Sequence, residues 1–550
     1  MDDSYVAPSE EEGSRWYGAA AVALAAILFL GRLGARALWA SEGRWAEVVR
    51  EMVLSSNYFW PTINGRLYYD KPLLSYWFIV AASHLTGGVN ETATRLPSAI
   101  FGLAGIVLII EVARRVYDRT TAAWAGFILA TSFSYVFFSR NASADIETTT
   151  GVLAALALFI SHRQRQDGWW VMWLWLVMAV TSLTKGLIGF ALPIFVMWLY
   201  SLLEEGAEVL YQRLTSGRLS ARSAWLRARL RWFFNLKTPV ALAAAGALYY
   251  LPFALSHSRA HSDAGLYMVF RENVVRFFEP FDHRGPVYLY FYVIFSLMAP
   301  WSVFIPAALL EMHRRARAAA ARTLAGADLF ALIYFWGTLA FFTLSRSRRS
   351  YYLLPILPAA ALLVARLLSV RAAALWPPAR RLMNLGYCVL AAVVIGCGIG
   401  YLLPASTRPG WMHLLPPSPA RAVFLAGWLI SLGTIWYAWR DLSVRRIAIS
   451  AAVITYLALF FLFIMLMPQA EAYRFERSFA RAVRTNVGGD VGQLAFFRIW
   501  GPGLVYYLSM PDPIALFNST EQVAGFAHSH GGAWVITRAR DVENLKLDGQ

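Results

Sequence analysis

Apolar runs of roughly 17 to 25 residues, separated by short polar connectors, recur along most of this chain. At about 1.5 Å of rise per residue, each run can carry a helix across a hydrocarbon core roughly 30 Å thick. Lipid offers no partner for backbone N–H and C=O groups, so these runs restrict the chain to a polytopic bundle of transmembrane α-helices. About thirteen spans are expected, near residues 17–39, 96–117, 121–139, 149–161, 169–183, 187–203, 239–256, 286–311, 328–345, 351–369, 383–403, 420–439 and 448–467. The first has no small-residue cleavage site after it and follows an acidic stretch, Met1 to Gly13. Residues 1–16 are therefore expected to be a cytoplasmic leader and the first span a retained helix rather than a signal peptide.

The formal net charge of +17 would suit nucleic acid, but the arginines sit mainly in alternate short connectors: Arg114, Arg115 and Arg119; Arg163 and Arg165; Arg314, Arg315 and Arg317; Arg380 and Arg381; Arg445 and Arg446. That is the positive-inside pattern of a membrane protein with its N-terminus in the cytoplasm, and it argues against a nucleic-acid partner. Cys388 and Cys397 share one span, about 13 Å apart along a helix, which supports neither a disulfide nor a thiolate metal site.

The spans make one membrane domain over residues 17–467. Within it, residues 204–238 interleave arginine with apolar residues and are expected to lie as an amphipathic helix on the cytoplasmic surface, against membrane lipids. Beyond it, residues 468–550 turn polar, with short apolar stretches (Gln493 to Phe497, Leu504 to Leu508, Ala533 to Thr537) between glycine, proline and aspartate. A small periplasmic α/β domain is expected there.

Positive-inside topology leaves a second basic set unexplained. Arg44, Arg66, Lys71, Arg140, Lys185, Arg259, Arg271, Arg276, Arg284, Arg346, Arg348 and Arg349 all fall in connectors on the opposite side, chiefly the first loop (residues 40–95) and the loop 257–285. Thr184-Lys185-Gly186 is almost the whole connection between two spans, so the Lys185 ammonium must sit at the membrane surface. Guanidinium forks and point-charge ammoniums converging there suit a lipid-linked phosphate. Carboxylates share the face: Glu42, Glu47, Asp70, Asp145, Glu147 and Glu272 among them. Glu42 and Asp145, at the ends of different spans, suit a general base and an electrostatic stabiliser, a pair holding a divalent metal, or salt bridges to neighbouring arginines. Residues 43–54 are expected to form an amphipathic interfacial helix, and a second is expected after Pro72, placing Asp70 and Lys71 at its N-terminus. The histidines His257 and His261 read as incidental, and no nucleotide-binding fingerprint is present.

Taken together, Ser41-Glu42-Gly43-Arg44-Trp45-Ala46-Glu47 with Arg50-Glu51-Met52, Tyr69-Asp70-Lys71-Pro72, Thr184-Lys185-Gly186, Glu272-Asn273-Val274-Val275-Arg276-Phe277 and Arg348-Arg349-Ser350-Tyr351-Tyr352 resemble the GT-C glycosyltransferases. Within that fold the chain is similar to the protein O-mannosyltransferase-like branch, and most to the bacterial 4-amino-4-deoxy-L-arabinose lipid A transferases. Two positions depart from the pattern: Ser41 stands where an aspartate usually precedes the glutamate, and Asp70 stands where those transferases carry glutamate.

The resemblance implies transfer of aminoarabinose from undecaprenyl phosphate to a lipid A phosphate at the periplasmic face of the inner membrane, a modification that confers polymyxin resistance. It implies Glu42, Asp145 and Asp70 as catalytic carboxylates. Arg44, Lys71, Tyr69, Lys185, Arg276, Arg348 and Tyr352 would bind phosphate and carrier, with Glu47, Arg271 and Glu272 as further candidates. It implies no cofactor beyond undecaprenyl phosphate as the carrier in the donor, and leaves open a divalent metal at Glu42 and Asp145. Two alternatives stand beside it: a protein O-glycosyltransferase of the same fold, and a lipid flippase or transporter.

Overall fold

A computed structural model describes residues 8–163, 168–205, 210, 215, 219–233, 235–275, 285–318, 325–370, 374–403, 419–469, 476–488 and 491–545. Every segment expected to span the membrane is helical. Eight helices among the described residues are long and apolar enough to cross a bilayer, and two bent pairs raise that to ten. The first helix and the pair Trp170–Lys185 and Ile188–Leu203 are shorter apolar helices. Of the expected amphipathic segment 204–238, Leu219–Arg229 is a helix with Arg227 and Arg229 in its last turn.

The boundaries of the first helix differ from expectation at both ends. It begins at Pro8, so polar residues assigned to the leader extend it, and it stops at Leu30 rather than near residue 39. The early stop has a cause in the tertiary structure: Arg140, from a distant loop, caps it by donating to the carbonyls of Leu28, Phe29 and Gly31. A guanidinium there satisfies carbonyls that a helix end leaves without partners. The segment expected to span as 286–311 is bent by 119° between Leu289–Leu297 and the stretch from Trp301, where Pro300 has no N–H to continue the helix. A second bend, 65° between Arg119–Ala130 and Phe133–Ser139, lies beside it. Phe133 N–H donates to the Ala299 carbonyl (2.8 Å) and Trp301 Nε1 to Thr131 Oγ1 (2.9 Å), so the two breaks satisfy each other's polar groups.

The first loop folds into helix Glu42–Ser55, a two-stranded hairpin (Thr62–Ile63 against Arg66–Leu67) and helix Leu74–Leu85. Asn64 and Gly65 turn the hairpin at φ +53° and +70°, the left-handed pair such two-residue turns require. Glu42–Ser55 is more deeply packed than an interfacial helix: Trp45, Val48, Val49 and Met52 bury against Leu73, Tyr76 and Ile79.

The C-terminal unit has a parallel three-stranded sheet in the order Ala515–Phe517, Leu494–Phe497, Trp534–Ile536, with helices Pro502–Leu508 and Thr520–His530 as crossovers. The stretch Leu504 to Leu508 is thus a helix; the third strand is Ala515–Phe517, whose sequence is too short for alternation to reveal. This unit seats on the first loop. Asn64 exchanges two hydrogen bonds with the Ile514 backbone (2.8 and 2.7 Å), Tyr507 Oη accepts from Leu38 N–H (2.7 Å), and Arg50 donates to the Met510 carbonyl (2.9 Å). At Gly43 the backbones nearly touch, since a Cβ there would lie 2.4 Å from Gly503 Cα.

Candidate active site

Two cation clusters gather on the side of the bundle where the first loop emerges. The first is built by the loop itself. Arg44, one turn into Glu42–Ser55, reaches Asp70 Oδ2 at 3.2 Å and Tyr68 Oη at 3.1 Å. Lys71 Nζ lies 3.2 Å from the same Asp70 oxygen and donates to the Asp70 carbonyl at 2.8 Å. One carboxylate therefore spaces two cations. Burial works against the charge on both. At Arg44, Tyr68 and Asp70 outweigh it and hold the guanidinium above its ordinary value, whereas Lys71 stays pushed down despite Asp70 and Glu272. The Leu74–Leu85 helix starts three residues after Lys71, so Asp70 and Lys71 precede it in a turn instead of occupying its first turn.

The second cluster joins three helix ends. Asp145 lies in the first turn of Ala144–His162, where Ser143 Oγ accepts its N–H, and Lys185 is the last residue of Trp170–Lys185. The two form a buried ion pair. Above it, Lys185 Nζ faces the rings of Tyr352 (5.0 Å) and Tyr351 (5.4 Å). Cation–π contact and the ion pair together hold the ammonium compactly. Arg349 Nη1 donates to Tyr351 Oη at 2.7 Å and so places a further cation beside the rings.

Asn273 connects the clusters. Its Oδ1 accepts from Leu187 N–H (2.7 Å), two residues after Lys185, and its Nδ2 donates to the Val269 carbonyl (2.8 Å). Its neighbour Glu272 acts electrostatically on Lys71 and Tyr68 in the first cluster. Gly186 is required on two counts, a φ of +117° and an approach in which a Cβ would sit 2.4 Å from Asn273 Oδ1. Thr184 Oγ1 bonds Thr148 Oγ1 (2.9 Å), so each residue of Thr184-Lys185-Gly186 has a separate task.

Several expected site residues stand elsewhere. Glu42 is 2% exposed, with both oxygens engaged: Arg95 Nε and Nη2 at 2.7 and 2.8 Å, Ala142 N–H at 3.1 Å, and Trp39 N–H at 3.0 Å. Burial would raise its carboxyl, but Arg95, with Arg36 and the Ala142 N–H, overrides this and holds it below its usual range. A carboxylate so engaged is a strut and a poor base; the salt-bridge reading fits its geometry. Glu47 is likewise buried and bidentate to Arg50 (2.7 Å twice), tying the helix toward the C-terminal unit. Arg348 donates to the carbonyls of Gly285 and Thr343 (2.8 Å each), so it braces the loop, and its neighbour Arg349 lies against Tyr351. Tyr69 packs among Leu183, Phe253 and Met268, and burial pushes its hydroxyl up to about 12. Arg271 is exposed on the Phe270–Val275 turn, and Arg276 lies outside the described residues.

The residues proposed for a metal do not fit one in this arrangement. Glu42 faces Arg95, Asp145 faces Lys185, and among the described residues no three histidine, cysteine or carboxylate groups converge. Arg95 is the residue sequence reasoning passed over; Asn273, Arg349 and Tyr351 stood within the quoted motifs without an assigned role. Arg95 directly precedes the span expected at 96–117, where an arginine reads as a loop cation, so nothing nearby marked it as the partner of Glu42.

Residues 70–221 match the family profile described as dolichyl-phosphate-mannose-protein mannosyltransferase, a stretch that contains both Lys71 and Lys185. An undecaprenyl phosphate-alpha-4-amino-4-deoxy-L-arabinose arabinosyl transferase of Pseudomonas fluorescens is 26% identical over 76% of this chain and 71% of its own length. One from Pseudomonas aeruginosa is 28% identical over 67% of this chain and 63% of its own, and an uncharacterised protein of Aquifex aeolicus is 28% identical over 62% of each. The chain thus spans under two thirds of the length of the latter two. Among solved structures, ArnT from Cupriavidus metallidurans bound to undecaprenyl phosphate superposes with a TM-score of 0.67 at 22% identity, over 97% of this chain and 91% of that one. The apo form of the same protein gives 0.63. The GT-C fold expected from the sequence is the fold of this chain.

Proposed function

We infer that this GT-C chain, akin in sequence to the aminoarabinose transferases, is a membrane glycosyltransferase that moves 4-amino-4-deoxy-L-arabinose from undecaprenyl phosphate to a lipid A phosphate, facing the periplasm. The observation that carries this reading is the pair of cation clusters, Arg44 with Lys71 and Lys185 with Arg349, joined through the 272–273 turn. A transfer between two phosphates needs two anion pockets that face one sugar. Arg44 and Lys71 are assigned the carrier phosphate, Lys185 and Arg349 the acceptor phosphate.

The acceptor phosphate is already ionised at neutral pH, so its oxygen can attack the anomeric carbon without a strong base. The bond from that carbon to the carrier phosphate oxygen breaks, and undecaprenyl phosphate departs with one more negative charge. The catalytic demand is to hold two anions together and to stabilise that developing charge, which preorganised cations supply. Asp145, released in part from Lys185 as the acceptor phosphate arrives, is placed to meet the ammonium of the sugar. A carboxylate there would favour an aminosugar over a neutral one.

The family profile over residues 70–221 favours a second reading, a lipid-linked transfer to a protein hydroxyl. Mass spectrometry separates the two. In a strain lacking its own copy, the wild-type chain should add an aminopentose to lipid A, while Lys71→Ala and Lys185→Ala, expressed equally, should not. Unmodified lipid A together with newly glycosylated periplasmic protein would reject the lipid A reading.

A further inference from the structure

A second site lies at the far end of the bundle. Helix Ala325–Leu344 runs back to the Arg348–Tyr352 loop and helix Leu357–Ser369 runs away from it. The end of Ile305–Ala318 and the start of Pro377–Leu402 are therefore on the face opposite the candidate active site, the arginine-rich one. Between these helices is a cavity of about 800 Å³, walled by Pro306, Leu310 and Leu382 and rimmed by Trp376, Arg314 and Arg317. That volume falls within the roughly 300–1,000 Å³ of pockets that take a small-molecule ligand.

The charge at the rim is unbalanced. Glu311, fully buried, is shared by Arg314 and Arg315, and it also accepts the Trp376 N–H at 3.1 Å. Two guanidiniums thus share one carboxylate. Arg317 is exposed and has no carboxylate partner among the described residues. His313 is held beside these arginines by the Trp336 indole N–H at its Nε2 (3.2 Å) and the Leu309 carbonyl at its Nδ1 (2.7 Å). Below the rim, Leu382, Leu385, Val389 and Val393 are all exposed and continue the apolar wall along one helix face. Apolar depth topped by an excess of arginine at the interface matches a two-part ligand, one hydrocarbon chain and one anionic head.

We propose that this groove binds an anionic phospholipid, its acyl chain against Pro306, Leu310 and Leu382 and its phosphate between Arg314 and Arg317. The amphiphilic ligand is favoured over free phosphate by the apolar wall. It is favoured over a partner helix by the cation excess, which a second copy of this chain would repel. The lipid bridges the arm after the 119° bend to helix Pro377–Leu402 and so braces the bundle from the face remote from the chemistry.

Native mass spectrometry of the full-length protein in detergent, titrated with phosphatidylglycerol or phosphatidylcholine, tests this. Phosphatidylglycerol should bind about tenfold more tightly, and Arg317→Gln should weaken it about fivefold without affecting phosphatidylcholine. Leu382→Trp, which fills the groove and leaves the charges alone, should weaken both lipids. Equal binding of the two lipids by the wild-type chain would overturn the proposal. So would phosphatidylglycerol binding unchanged in both variants, or a dimer held through this groove that lipid does not displace.

Discussion

Replacing Glu42 with glutamine keeps the shape of the side chain and removes the carboxylate paired with two buried guanidiniums, Arg36 (9% exposed) and Arg95 (0%). Arg95 loses a bidentate partner that it holds at 2.7 and 2.8 Å. Breaking a buried ion pair from one side costs about 3–5 kcal/mol, because the remaining charge stays in a poor solvent. The lower end applies here. Arg95 keeps its bonds to the carbonyls of Leu33, Arg36 and Ala37, and the glutamine oxygen can still accept the Ala142 N–H. About 3 kcal/mol in a chain of this size is a fall of roughly 2–3 °C in the unfolding midpoint of detergent-purified protein, read by tryptophan fluorescence. The double variant Glu42→Gln/Arg95→Met removes both charges and should recover part of that loss, which a strut predicts and a catalytic base does not. The pH dependence has a definite sign. A carboxyl held below its ordinary value stabilises fully above the unfolded-state value, and the benefit is lost as pH falls through the folded one. The gap between wild type and variant should be constant near neutrality and close in acid. A variant with unchanged midpoint but no lipid A modification would refute the strut and return Glu42 to the reaction.

Three further outcomes follow from the same geometry. Lys185→Ala should lower transfer by about 100-fold or more, since the cation that holds the acceptor phosphate for attack is lost; turnover by purified enzyme with a lipid-linked donor checks it. Because burial holds the Lys71 ammonium below its usual range, the KM for donor should rise as pH climbs toward the ordinary lysine value, and Lys71→Arg should move that limb out of reach. Gly43→Ala should destabilise by about 1–3 kcal/mol and expose the C-terminal unit to limited proteolysis, because the new Cβ meets the Gly503 backbone, which cannot rotate away.

Most of the fold was legible in the sequence because length and hydropathy decide it locally. Every expected span is a helix, and the helix after Pro72 and the strands at Leu494 and Trp534 follow from nearby residues alone. The candidate site was legible in part. Charges placed against topology suggested one phosphate cavity; Arg44 and Lys71 gather in one cluster and Asp145, Lys185 and Tyr352 in a second. Glu42, Glu47 and Arg348 were misjudged for a common reason: a charged residue beside a membrane is equally well explained by a substrate or by an internal partner, and the partners Arg95, Arg50 and the carbonyls of Gly285 and Thr343 cannot be read from spacing.

The sequence by itself determined a polytopic helical bundle, because bilayer thickness and backbone hydrogen bonding act on each segment separately. Tertiary structure alone decided which of the chain's charges are neutralised in the interior and which gather in the two clusters. Glu42 and Asp145 have the same carboxylate chemistry. The chain brings Arg95 out of a neighbouring span to neutralise one within a buried lattice, and sets the other beneath two tyrosine rings against a single lysine. Contacts made across tens to hundreds of residues settle that difference, and no local pattern encodes it.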